Sequence, residues 1–168
     1  MHKPQYRIGI GFDVHRLVPG RPLILGGIRL EHELGLEGHS DADALLHAIT
    51  DAVLGAVALG DIGQHFSNSD PRWKDCDSAV FLQEAIRLAR EATYIISNID
   101  AMIMAERPKM APVILEMRRR VAEIAGLDIE QVSIKAGTNE RMGFVGREEG
   151  IGCQAVVCME RDFGGVPF

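Results

Sequence analysis

Aromatic residues make up 5% of the 168 positions, as six phenylalanines, two tyrosines and one tryptophan, so the core must pack mainly through aliphatic side chains. Cysteine is scarce too. Cys76, Cys153 and Cys158 cannot all pair within one chain, and none stands in a C-x-x-C or Cys/His spacing of a structural zinc module. Reduced thiols in a cytoplasmic setting fit this usage better than a disulfide scaffold. No apolar run reaches the roughly 18 residues of a membrane span, and Met1-His2-Lys3-Pro4 lacks the apolar core of a secretion signal. Basic residues are in the minority, with 18 Lys and Arg against 24 Asp and Glu and a net charge of −6. Such a chain lacks the basic field that nucleic-acid binding requires. The one basic run, Arg118-Arg119-Arg120, reads as a solvated helix face.

What remains is a globular composition, 46% hydrophobic and 25% charged, in a length that suits one domain. We expect that domain over residues 1–160 and a frayed tail at 161–168. Tyr6, Ile8, Ile10 and Phe12 alternate with Arg7, Gly9 and Gly11 as a half-buried strand whose polar face continues to Asp13. Residues 23–25 and 28–30 flank Gly26-Gly27 as a short hairpin. Ser40 and Asp43 suggest a capping box opening a helix from about Asp41 to Leu59, with Leu45, Ile49, Ala52, Val53 and Ala56 on its buried stripe. Further helices are expected at about 78–92 and from Pro112 to Gly126, and further strands at about 99–105, 132–136 and 151–159. The pattern predicts an α+β fold, a mixed four-stranded-type sheet with helices on one face.

Three segments carry candidate chemistry. Asp13 and His15 stand two apart where a strand runs out, so both side chains can leave one face and converge on one ion. His47 lies opposite the apolar stripe of its helix, between Asp43 and Asp51, carboxylates of the kind that accept the outer N–H of a ligating imidazole. Two histidines and one carboxylate leave a tetrahedral ion a free position, the composition of a catalytic site. His39-Ser40 stands at the helix entrance, where backbone N–H groups favour an anion. Finally, the glycine-rich stretch from Lys135 to Gly150 exposes backbone amides beside Arg147 and can hold a diphosphate, though it matches no Walker pattern.

Five motifs in series resemble the 2-C-methyl-D-erythritol 2,4-cyclodiphosphate synthases. They are Gly-x-Gly-Phe-Asp-Val-His at 9–15, His-Ser-Asp-x-Asp-x-x-x-His at 39–47, Leu59-Gly60-Asp61-Ile62-Gly63, Pro108-Lys109-Met110, and Gly143-Phe144-x-Gly-Arg147. The resemblance implies a non-mevalonate isoprenoid-pathway lyase that cyclises 4-diphosphocytidyl-2-C-methyl-D-erythritol 2-phosphate and releases CMP. By the same likeness, Asp13, His15 and His47 hold a zinc-type ion, and Glu140 holds a second ion, magnesium or manganese. His39 and Thr138 are implied to stabilise the transition state, with Ser40 on a substrate phosphate. Substrate contacts are further implied at Val14, at Asp61, Ile62 and Gly63, and at Gly137 and Asn139. The loop of Phe66, Ser67, Asn68, Ser69 and Asp70 would cover the erythritol, and Ala105, Glu106, Arg107, Pro108, Lys109, Met110 and Ala111 would form a cytidine pocket. The family implies a homotrimer with sheets packed together, active sites between subunits, and an isoprenoid diphosphate in a central channel near Phe144 and Arg147.

Departures from the family pattern fall at Ile10, Ala42, Ser67, Asn68 and Gly137, none of them in the Asp13/His15/His47 set. Some members are fused to a cytidylyltransferase domain, for which 168 residues leave no room. Two other readings use the same residues: a metal-dependent phosphoesterase that activates water, and a trimeric binding protein without catalysis.

Overall fold

The computed structural model describes residues 4–67 and 69–162. In chain order the elements are β1 (Tyr6–Pro19), β2 (Leu23–Leu25), β3 (Ile28–Leu30), β4 (Leu34–Leu36), α1 (Ala44–Ala56) and the short α2 (Ile62–His65). They continue with α3 (Ala79–Glu91), β5 (Tyr94–Met104), α4 (Ile114–Ala125), β6 (Val132–Gly137), the one-turn α5 (Gly143–Gly146) and β7 (Gly150–Arg161). One mixed sheet has the order β4-β1-β7-β5-β6, and β2 with β3 forms a separate hairpin. β1 and β7 pair antiparallel from Tyr6 opposite Glu160 to Arg16 opposite Gly150. β5 is antiparallel to β7 and parallel to β6, which sets the C-terminal ends of β5 and β6 side by side. The α+β class holds, but the sheet has five strands instead of four. β1 runs on to Pro19 and recruits β4, whose three residues are too few to show a period of two.

The face assignment within β1 reverses a simple hydropathy reading. Its large apolar side chains point away from the helices, with Ile8 72% and Ile10 63% exposed, while Gly9 and Gly11 are buried beneath α1. The cause is steric. A Cβ on Gly9 would lie 1.8 Å from the Ala52 carbonyl oxygen, and one on Gly11 would lie 1.9 Å from that of Ala48. Only glycine lets the strand approach the helix this closely. The same alternation puts Asp13 and His15 on the helix side.

Residues 44–56 of α1 are buried on nearly every side, so His47 does not sit on a solvated face. Sheet residues Ile99, Ile103, Ile151 and Val157 close one side of the core, with Leu45, Ile49, Leu82 and Met117 from the helices packed against them. Burying each such side chain contributes roughly 1.5–3 kcal/mol. The helix also starts later than the capping-box pattern suggests. Asp43, not Ser40, is its N-cap and accepts from the Leu45 and Leu46 amides. Asp43 further accepts from Gly26 N–H at 2.9 Å and Gly27 N–H at 2.6 Å, tying the β2–β3 turn to α1.

β5 begins at Tyr94, five residues before the alternating pattern becomes visible, because a bulge between Ile96 and Asn98 breaks the period of two. α4 ends as expected at Gly126, which is left-handed at φ 67°. Arg161 is the last residue of β7 and its N–H bonds Gln5, while the N–H of Asp162 bonds Thr93, so these two positions are not frayed. The rest of the expected tail, 163–168, lies outside the described residues. No helix among the described residues is long and apolar enough to cross a membrane.

Candidate metal centre and its pocket

β1 directs Asp13 and His15 toward α1, and His47, one turn into that helix, meets them. His15 Nε2 lies 2.9 Å from Asp13 Oδ2 and His47 Nδ1 lies 3.0 Å from the same oxygen. The two ring nitrogens are 3.2 Å apart. All three donor atoms lie within 4.8 Å of one another, a group able to hold a metal ion. The outer nitrogen of each ring is engaged elsewhere. His15 Nδ1–H donates to the Glu37 carbonyl at 2.6 Å, which turns the Nε2 lone pair inward. His47 Nε2 lies 2.8 Å from Ser78 Oγ and 3.2 Å from Ser40 Oγ. A cluster of inward lone pairs on nitrogen and carboxylate oxygen matches the donor chemistry of a divalent transition ion.

Burial alone would raise the Asp13 carboxyl, but hydrogen bonds from His15 and His47, with their charge, outweigh it and hold Asp13 well below the usual carboxylate range. Burial works against charging His15, yet the Asp13 hydrogen bond and charge prevail and raise it. The carboxylates expected to flank His47 act otherwise. Asp43 is consumed by four backbone amides, and Asp51 accepts from the Ile62 N–H at 2.7 Å, anchoring the start of α2. Of the amides at the N-terminus of α1, those of Leu45 and Leu46 are therefore already occupied by the Asp43 carboxylate.

Beside the triad lies a cavity of about 170 Å³ lined by His39, Ser40, Ile62, Gly63 and Phe66 together with Trp73 and Phe81. Its apolar wall gathers aromatics from a chain that has few. Phe66 packs on Phe81 at 4.7 Å and edge-on to Trp73 at 5.4 Å, and Trp73 meets Phe81 at 5.7 Å. His39 Nε2–H donates to the Asp70 carbonyl at 3.0 Å, tethering the loop to the site. Asp61 caps α2 through the Gln64 N–H. Ser67 and Ser69 are exposed and bond each other, Asp70 pairs with Arg72, and Asn68 lies outside the described residues.

The remaining expected residues form a second cluster, at the ends of β5 and β6. Ala105 N–H bonds the Gly137 carbonyl at 3.1 Å, and the Glu106 carboxylate accepts from Asn139 and Arg141 N–H, each at 3.0 Å. Thr138 Oγ1 donates to Glu140 Oε1 at 3.1 Å. The Arg107–Pro108 peptide is cis, and Lys109 is exposed while Met110 is buried and Ala111 exposed. None of residues 105–111 or 137–140 lines the triad's cavity. Val14 faces the opposite side of β1 from Asp13, in a shallow cleft with Phe144, and Arg147 is paired with Glu149 at 2.9 Å.

Residues 6–160 match the model of the YgbB family. The chain belongs to the YgbB family. A relative in Alkaliphilus metalliredigens (strain QYMF), named 2-C-methyl-D-erythritol 2,4-cyclodiphosphate synthase, is 58% identical over 158 residues, 94% of this chain and 99% of the relative. The solved bifunctional IspDF from Campylobacter jejuni superimposes with a TM-score of 0.90 at 38% identity over 94% of this chain. This chain spans 42% of that longer protein. A CDP complex of IspF from Plasmodium falciparum gives a TM-score of 0.84 at 29% identity, covering 96% of this chain and 99% of the other. Membership of this family makes the chain an enzyme of the lyase class.

For this YgbB-family chain the sequence pattern left four site residues unmarked: Asp41, Trp73, Ser78 and Phe81. Both Ser78 and Phe81 fall within the helix expected at about 78–92, which marks neither as a site residue. The available signal was chemical. Ser78 is fully buried, and a buried hydroxyl needs a partner.

Proposed function

We propose that this chain cyclises 4-diphosphocytidyl-2-C-methyl-D-erythritol 2-phosphate to the 2,4-cyclodiphosphate and releases CMP. The observation that carries this reading is the convergence of Asp13 Oδ2, His15 Nε2 and His47 Nδ1 on the wall of the cavity, in a chain 58% identical to a protein named for that synthesis. In the reaction a 2-phosphate oxygen bonds the β-phosphorus, the bond from that phosphorus to the bridging oxygen breaks, and the electron pair leaves with CMP. The attacking oxygen is already anionic at neutral pH, so no side chain has to abstract a proton. The protein's task is to position the phosphates and offset charge.

Asp13, His15 and His47 would hold a zinc-type ion, and Glu140 a magnesium or manganese ion alongside substrate phosphates. When bound, such ions supply Lewis-acid stabilisation to phosphate oxygens. His39, its Nε2–H tied to Asp70, offers its other ring nitrogen beside the cavity, Ser40 a hydroxyl, and Thr138 a second hydroxyl next to Glu140. The aromatic wall of Phe66, Trp73 and Phe81 keeps water from one side of the reacting groups.

The 170 Å³ cavity is smaller than the roughly 300–1,000 Å³ of sites that enclose a whole ligand. This supports a homotrimer in which the 105–111 and 137–140 cluster of one subunit faces the triad of another and receives the cytidine diphosphate portion. CDP in the Plasmodium falciparum complex is consistent with that class of ligand. The exposed stripe of Tyr6, Ile8, Ile10, Phe12 and Val14 supports sheet-to-sheet packing around an axis. The cleft at Phe144, with Arg147 close by in sequence, is where an isoprenoid diphosphate would enter the central channel.

The test is phosphorus NMR of the diphosphocytidyl substrate after incubation, with and without chelator. Equimolar cyclodiphosphate and CMP, abolished by chelation, is the expected result. A linear monophosphate product would overturn the reading in favour of hydrolysis, and binding without turnover would reduce the protein to a carrier.

A further inference from the structure

We propose that Asp41 and Ser78 are positioning residues for His47, a half-buried carboxylate and a buried hydroxyl that lock its imidazole in the Nε2–H tautomer. The Nδ1 lone pair is thereby kept facing Asp13 and His15. The inference rests on the reading of that triad as a metal site.

The proton inventory carries it. Ser78 is fully buried at the start of α3, a position where serine usually caps the helix through its side chain. Here it makes no cap bond. Its hydroxyl instead donates to Asp41 Oδ1, and its own N–H donates to Asp41 Oδ2 at 3.1 Å. Asp41 Oδ1 also accepts from Asp43 N–H at 3.1 Å, so the carboxylate is fixed by backbone on two sides. A hydroxyl has one proton, and the proton of Ser78 is spent on Asp41. Toward His47 Nε2, 2.8 Å away, Ser78 Oγ presents only lone pairs, and the ring nitrogen must be the donor. Ser40 Oγ, 3.2 Å from the same nitrogen, accepts from Ala42 N–H at 3.1 Å and adds a second, weaker acceptor. The opposite tautomer would give an Nδ1–H bond to Asp13 Oδ2, 3.0 Å away, but it would leave Nε2 and Ser78 Oγ facing each other as acceptors and would remove the Nδ1 lone pair that a metal ion needs. Partners of this kind, one bond behind a ligand, commonly change metal affinity 10–100-fold.

The experiment compares wild type with Ser78→Ala and Asp41→Asn, each checked by circular dichroism for retained fold. The asparagine variant keeps the shape of Asp41 but lets its amide donate to Ser78, which frees the hydroxyl proton for His47. Long-range proton–nitrogen NMR of the metal-free proteins at alkaline pH reads the tautomer directly, and chelator competition reads zinc affinity. We expect Nε2–H in wild type, a mixture or reversal in both variants, and zinc affinity reduced roughly 10–100-fold. A wild-type Nδ1–H tautomer overturns the proposal, as does a variant whose tautomer and zinc affinity both match wild type. If wild type itself binds no zinc, the metal reading fails, while the tautomer comparison still decides whether Ser78 and Asp41 set the ring.

Discussion

His15 and His47 stand 32 residues apart in the chain, yet their ring nitrogens meet at 3.2 Å across a single carboxylate oxygen of Asp13. With the outer nitrogen of each ring engaged by Glu37 or by Ser78, the arrangement brings electron-rich atoms together and needs positive charge between them. Protons can supply it, and so can a metal ion. The two compete for the same lone pairs.

That competition fixes a pH dependence. The folded-state value of His15 is raised above its ordinary 6.5, so in metal-free protein its contribution to stability is complete below 6.5 and is lost as pH rises through the raised value. Asp13 is lowered from 3.8, so its contribution is present above 3.8 and is lost only as pH falls through the depressed value. Zinc requires the deprotonated rings. The gain in thermal midpoint on adding zinc to chelator-treated protein should therefore be small below 6.5 and grow as pH rises past the raised His15 value. Calorimetry across that window checks it, and a gain that is flat or that shrinks with rising pH would rule it out. His47→Ala should abolish the gain at every pH.

Backbone geometry yields a second prediction, with opposite signs at two positions. A methyl group on Gly11 would overlap the Ala48 carbonyl oxygen at 1.9 Å, so Gly11→Ala must push β1 away from α1. It should cost about 3 kcal/mol or more, at or above the upper end of usual overpacking penalties. Ala42, by contrast, holds a left-handed φ of 60°, a conformation glycine adopts without strain. Ala42→Gly relieves about 1–3 kcal/mol of strain against about 0.8 kcal/mol for the buried methyl it removes, so it should stabilise by up to about 1 kcal/mol and raise the midpoint by up to about 3 °C, and denaturant titration of both variants distinguishes the two signs.

These glycines also show why some of the structure was legible in the sequence and some was not. The D-x-H spacing at 13–15 and the later His47 are local patterns, and the strand alternation puts both β1 residues on one face as expected. Which face of β1 is the inner one was hidden, because hydropathy marks Ile8 and Ile10 as core while close approach to α1 selects Gly9 and Gly11. The surroundings of His47 were misjudged for a similar reason. Asp43 and Asp51 are neighbours on the helix wheel, but tertiary demands from the β2–β3 turn and from Ile62 claim both carboxylates. Ser78 reaches His47 because α3 packs against α1 while Asp75 and Cys76 bond the backbone of His39 and Asp41, and no spacing rule within one element reports that. The start of β5 was concealed by its bulge.

The outward face of β1 supplies the last prediction. Tyr6, Ile8, Ile10, Phe12 and Val14 form a row of exposed apolar side chains next to Val156 on β7, while Cys158 pairs in register with Ile8. Covering each large side chain contributes roughly 1.5–3 kcal/mol to an assembly, and placing a carboxylate among them would cost several kcal/mol. Ile10→Glu should therefore leave the fold intact, since that side chain touches solvent within one chain, but should separate the proposed trimer into monomers by light scattering. Turnover should fall with the oligomer, because the triad of one subunit would lose the 137–140 cluster of the next. Thiol labelling gives an independent readout. Burial raises the Cys153 thiol, and it should stay unreactive in both proteins, whereas Cys158 should be protected in wild type and labelled in the variant. A fully active Ile10→Glu monomer would show that one chain completes its own site.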